Sequence, residues 1–170
     1  MPDPPGHVSN PRFHRRITLE TEVCGPLTVS FAEVGSLTGP ALLFLPGMFA
    51  SRYLGIPLHA IAQHAGVRLL VVDRPGMGSS TDVPLNSRIA AWVDLLPRLL
   101  AHLGISRVSL VAHSAGTIYL LNTWAKCREV VNPDITFLGR VIYLFIYLAG
   151  SPSSIMRGGQ EKKRITYNAA

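Results

Sequence analysis

The stretch Val108-Ser109-Leu110-Val111-Ala112-His113-Ser114-Ala115-Gly116-Thr117 decides the fold. Val108 to Ala112 is an apolar run of strand length, and Ala115 opens a helical pattern that continues to about Arg128. A chain that turns from strand to helix through one residue must strain that residue. The positions two places either side must be small, because the two backbones nearly touch. Ala112 and Gly116 meet that condition around Ser114. The turn therefore presents the Ser114 hydroxyl at the carboxyl end of a sheet, beside a helix N-terminus whose free N–H groups favour negative charge.

The flanking sequence supplies the rest of such a sheet. Ile17 to Val23 alternates apolar and polar, with Ile17, Leu19, Thr21 and Val23 on one face. Gly25-Pro26 is a turn and Leu27 to Val34 a second β run, so a hairpin is expected. Ala41 to Leu45 is all apolar and stops at Pro46-Gly47, as a strand covered on both faces should. Ser51 to Ala65 carries a weaker helical pattern, interrupted early by Pro57 and ended by Gly66. Val67 to Asp73 is another buried strand, followed by the loop Arg74 to Ser80. Ser87 caps a helix in which Ile89, Val93, Leu96, Leu100 and Leu103 recur, with Pro97 inside it and Gly104 beyond its end. The apolar residues around 136–149 make the next strand.

Strands alternating with helices imply an α/β fold: a mostly parallel sheet with flanking helices. Ligand sites in such sheets lie at the carboxyl ends of the strands. Three of those ends carry unusual residues, Pro46 to Phe49, Asp73 to Ser80, and His113 to Ala115. The domain is expected over residues 16–150, with a flexible arm at 1–15 and a disordered tail at 151–170.

Composition excludes other classes. A chain of 170 residues with 48% hydrophobic and 15% charged residues forms one ordered domain with a real core. Of the net charge of +6, residues 1–16 carry +2 and residues 151–170 carry +3, which leaves the middle at +1 and without a basic face for nucleic acid. Cys24 and Cys127 form no CxxC pair, so neither a disulfide framework nor a metal site is indicated, and no cofactor motif is present. The glycines of Gly76-Met77-Gly78 are no phosphate cradle, since no Lys follows them. The amino terminus lacks the apolar core of a signal peptide, which points to the cytoplasm. The apolar stretch at 141–149 is far short of the roughly 20 residues a membrane span needs, so a buried strand is expected there.

Three motifs, in order and at strand ends, resemble those of the α/β-hydrolase fold family, the group of serine esterases and lipases. The resemblance covers the amino-terminal half of that fold, roughly residues 17–130. Leu45-Pro46-Gly47-Met48 resembles the family's oxyanion loop, with Pro in place of His. Asp73 to Ser80 resembles its D-x-R-G-x-G-x-S loop, with the Arg one residue nearer the Asp. Ala112 to Gly116 resembles its G-x-S-x-G nucleophile elbow, with Ala at the first small position. The resemblance implies Ser114 as nucleophile and the backbone N–H groups of Met48 and Ala115 as oxyanion donors. It implies a small carboxylic ester or related acyl substrate. Serine rather than aspartate at the elbow argues against epoxide-hydrolase chemistry.

A serine needs a base, and the base needs an acid to orient it. In this fold the order is Ser, then Asp or Glu, then His. All six histidines here (His7, His14, His59, His64, His102 and His113) precede Ser114. The later carboxylates are Glu129, Asp134 and Glu161, with Asp134 at the wrong end of its strand. The expectation is a truncated hydrolase lacking its triad Asp and His. The alternative is a non-catalytic remnant that binds a small ligand or a partner. Loss of later strands would leave 141–149 as an apolar edge open to self-association. Blander roles stand beside the sharp ones: Ser114 as a helix cap, His113 as a packed turn residue, and Asp73 as a brace for its own loop. Met48 and Phe49 are expected to line the site, and Trp92 and Trp124 to pack.

Overall fold

The computed structural model describes residues 9–133. Five strands form one sheet: β1 (Arg15–Thr21), β2 (Gly25–Gly35), β3 (Ala41–Leu45), β4 (Arg68–Val72) and β5 (Ser109–Ala112). The spatial order is β1-β2-β4-β3-β5. The expected hairpin is present as the antiparallel pair β1 and β2, in the register Ile17 to Val29 and Leu19 to Leu27. Strand β2 also runs antiparallel to β4. Strands β4, β3 and β5 are mutually parallel, with Phe44 beside Val71 and Leu45 beside Ala112. An isolated parallel bridge, Val108 to Val131, extends beyond β5. The sheet is therefore mixed, its parallel part carrying the three loops that the motifs occupy.

Helices cover both faces because the central strands are apolar on both sides. Helix α1 (Gly55–His64) lies over Ala32, Val34, Phe44, Leu69 and Val71. Pro57 does not interrupt it, since the first helical turn lacks intrahelical N–H partners in any case. Helices α2 (Arg88–His102) and α3 (Gly116–Lys126) share the opposite face with Val29, Phe31, Leu43, Leu45, Leu70 and Val72. Ser87 stands at the N-cap of α2, but its hydroxyl makes no capping bond. Trp92 joins the two helices: it is fully buried, meets the Tyr119 ring edge-on at 5.5 Å, and donates its indole N–H to Thr123 Oγ1 at 2.9 Å. Trp124 lies on the surface instead, under the Arg128 guanidinium.

The arm expected at 1–15 does not extend through its last residues. Pro11–Phe13 form a 3-10 turn capped by the Asn10 side chain. Phe13 is buried beneath α1, and Arg12 donates to the carbonyls of Glu33 and Gly35 at the end of β2. One aromatic ring among Pro, Arg and His carries no periodicity, so the sequence pattern hides it. The expected strand at 136–149 and the tail at 151–170 lie outside the described residues.

Pro97 removes the N–H that would have bonded the Val93 carbonyl within α2. The Cys127 thiol fills that vacancy, donating to Val93 O at 3.5 Å. Burial pushes the Cys127 thiol up to about 11, with the Glu129 charge adding to the shift and Lys126 opposing it. A raised thiol pKa means the folded state holds its proton more tightly than the unfolded chain, where about 8.5 is usual. The resulting stability is complete below about 8.5 and is lost as the pH rises toward 11. Urea unfolding across that range is expected to show this decline, and Cys127→Ala is expected to flatten it.

Candidate active site

Between β5 and α3 the chain makes the sharp turn that the small residues required. Ser114 has φ +51°, a left-handed conformation that costs a non-glycine residue about 1–2 kcal/mol. The turn is held by His113 N–H donating to Leu45 O and by Gly116 N–H donating to His113 O, both at 3.0 Å. Gly116 is the tightest point. A Cβ there would collide with the Leu45 and Pro46 carbonyl oxygens, so only glycine lets α3 start against the end of β3. Ser114 is exposed, and Thr117 N–H bonds its carbonyl as α3 begins.

The loop after β3 stands on the same rim. A Cβ on Gly47 would come within 3.0 Å of His113 Nδ1 and 3.2 Å of Ser114 Cβ, so Gly47 abuts the turn directly. Gly47 O accepts from Ala50 N–H at 3.2 Å, closing a turn with Met48 and Phe49 at its centre. Met48 and Phe49, expected to line the site, are 64% and 88% exposed at that turn. Phe49 shares the left-handed conformation, with φ +61°. The structure thus brings Ser114, Ala115 and the Gly47–Met48 peptide to one edge.

The third loop locks the other two. Asp73 is completely buried. Its Oδ1 accepts from Arg52 N–H at 2.6 Å, and its Oδ2 accepts from Arg52 Nη1 at 2.6 Å and from Ser30 Oγ at 2.5 Å. Ser80 Oγ donates to the Asp73 carbonyl at 2.9 Å, and Ser79 N–H donates to Ser30 Oγ at 3.0 Å. Gly78 passes so close that a Cβ there would strike the carboxylate. Asp73 therefore braces its own loop against β2 and the segment after β3. Arg74, also buried, donates from Nη2 to Gly47 O at 2.7 Å and lies over the Tyr119 ring with 5.1 Å to its centroid. Burial lowers its pKa, while Tyr119 and Asp73 act to raise it and Arg88 to lower it further.

Sequence reading missed the roles of Ser30 and Arg52. Ser30 is a polar residue in an apolar β run, and Arg52 a cation where the helical pattern begins; only their incongruity marked them. Asp134 lies outside the described residues. Among those residues no group of His, Cys, Asp and Glu could hold a metal ion, and no helix is long and apolar enough to cross a membrane.

With this geometry in hand, comparison with known proteins is informative. A model of the alpha/beta hydrolase family matches residues 42–167. The chain belongs to that family. An esterase of Thermogutta terrifontis superposes with a TM-score of 0.58 at 24% identity, covering 69% of this chain and 43% of that one. A variant of an epoxide hydrolase from Vigna radiata gives 0.55 at 25% identity, covering 69% and 36%. Among curated proteins, a GDP-mannose-dependent alpha-mannosyltransferase of Mycobacterium tuberculosis (strain CDC 1551 / Oshkosh) is 34% identical over 100 residues, 58% of this chain and 24% of that protein. The hydrolase chain thus spans less than half the length of these relatives, and its sheet and helices correspond to the amino-terminal half of the fold.

Two substitutions probe the site's strain and its brace. Ser114→Gly is expected to raise stability by about 0.5–1 kcal/mol, because relief of the left-handed strain exceeds the backbone entropy that glycine adds. Asp73→Asn is expected to cost about 3–5 kcal/mol, since it strands Arg52 as a buried charge without its counter-ion. Urea midpoints at neutral pH measure both.

Proposed function

We propose that this hydrolase chain carries the nucleophilic half of a serine hydrolase centre acting on carboxylic esters or related acyl substrates. Ser114 is the nucleophile in this reading, and the N–H groups of Met48 and Ala115 receive the oxyanion of the tetrahedral intermediate. The observation that carries it is the strained φ of +51° at an exposed serine, directly beside Gly47. A capping serine would have no need of that conformation, for N-cap residues sit comfortably in the β region. An attacking hydroxyl would need it, because the bend lifts the side chain clear of both strand and helix. Losing one oxyanion donor costs about 2.7–4 kcal/mol in related sites, so the pairing of Met48 with Ala115 matters more than either residue's side chain. Serine at this position favours acyl transfer over the chemistry named for the Vigna radiata relative.

A second reading has its own observation. No histidine follows Ser114 anywhere in the 170 residues, so the family's base is lacking in this sequence. On that ground the chain would serve as a non-catalytic module that binds a small ligand or a partner.

A fluorophosphonate probe separates the two. On the first reading, labelling of the full chain is slow alone and accelerates with added imidazole, which supplies the missing base in its neutral form. The acceleration should grow as the pH rises through about 6.5–7 and vanish in Ser114→Ala. Peptide mass spectrometry locates the adduct. A Ser114 that stays unlabelled in imidazole leaves the binding module as the better account.

A further inference from the structure

We infer that Arg74 is a positioning residue for the oxyanion donor: by clamping the Gly47 carbonyl it aims the Met48 N–H that belongs to the same peptide bond. The inference rests on the reading of Ser114 and Met48 above. The described backbone has no cis peptide bond, and a trans peptide unit is planar. Its C=O and N–H point in opposite directions, so whatever fixes the Gly47 oxygen also fixes the Met48 hydrogen. Two donors fix that oxygen, Arg74 Nη2 at 2.7 Å and Ala50 N–H at 3.2 Å. They fill its two lone-pair directions and leave the peptide plane little freedom to rotate.

The clamp is also electrical. A charge-assisted bond to a carbonyl polarises the peptide, and hydrogen bonds in a chain strengthen one another where water is excluded. Arg74 is only 6% exposed, so its cation is poorly screened. The Met48 N–H at the far end becomes a better donor to a developing oxyanion.

The arginine itself is anchored to the helix that follows Ser114. Its guanidinium lies over Tyr119, one turn into α3, which begins at the Ser114 turn. Displacement of the nucleophile's helix would therefore carry the oxyanion loop with it. Stability alone does not account for this residue, because its Nε is buried without a hydrogen-bond partner. Lysine cannot reproduce the role, since a point charge on a flexible stem cannot donate in a fixed direction while stacking on a ring.

The test uses the uniformly 15N-labelled full chain and its Arg74→Met and Arg74→Lys variants, with two readouts. The first is the amide signal of Met48. The second is the imidazole-assisted rate of fluorophosphonate labelling at Ser114. In Arg74→Met the Met48 signal is expected to move further than any amide outside residues 46–50 and 73–80. Labelling is expected to slow about ten- to a hundred-fold in its maximal rate rather than in its half-saturating concentration. Arg74→Lys should fall between. An unmoved Met48 signal in folded variants overturns the inference. A moved signal with unchanged labelling overturns it too, while leaving Ser114 as the nucleophile. No labelling of the unaltered chain, with the Met48 signal moved, supports the clamp and overturns the Ser114 reading. If Arg74→Met fails to fold, Arg74→Lys and Tyr119→Leu carry the same comparison.

Discussion

The contact between the Gly116 backbone and the carbonyl oxygens of Leu45 and Pro46 is what the rest of the structure depends on. No side chain fits there, so α3 can begin only where β3 ends. That placement leaves the chain one residue in which to reverse from strand to helix, and Ser114 takes the strain at φ +51°. The same contact sets the height of the loop after β3. Leu45 pairs with Ala112 and accepts from His113 N–H, so Gly47 is delivered against the turn, where Arg74 and Ala50 hold its carbonyl. Strain of this kind persists only when the surroundings over-determine it. Here the surroundings are two parallel strands with a shared register and a helix that cannot shift outward.

Charge inside the rim serves the same end. Asp73 uses both carboxylate oxygens on Arg52 and Ser30, and the loop that follows wraps it closely. Burying a carboxylate and two guanidinium groups is a poor route to stability, since desolvation offsets most of the attraction. Both Arg52 and Arg74 also leave a buried Nε without a partner. The arrangement is better understood as positional. A carboxylate accepting several directed bonds fixes where β2, the loop after β3 and the loop after β4 stand relative to one another, and apolar packing cannot do so with comparable angular definition.

Strands β3 and β4 were legible as short apolar runs ended by Pro-Gly or Asp, β1 by its apolar–polar alternation, and the elbow because its small-residue spacing has one physical cause. Three other features were not legible. Phe13 packs through a single ring with no neighbours to form a pattern. The outward turn of Met48 and Phe49 follows from one hydrogen bond, Ala50 to Gly47, which no composition announces. The clamp by Arg74 depends on Tyr119, 45 positions later, and contacts of that range leave no local trace. Local rules name which residues can bend or cap; only the closed fold says what they hold.

That division bears on the chemistry. Nucleophile and oxyanion donors are properties of backbone bends, and a strand, a glycine and a following helix suffice to write them into fewer than a hundred residues. A general base is different: it must be brought from another part of the fold to within hydrogen-bond reach of the hydroxyl. The rim formed by β3, β4 and β5 is accordingly the part of a hydrolase that can be complete before any base is supplied. The hydrogen bonds that hold Asp73, Arg74 and Gly47 among the described residues run between residues on this rim or on the adjoining β2, and none of them involves a base. Under the proposed reading the chain keeps the geometry of attack and of charge stabilisation together, and proton transfer is the one function separable from it.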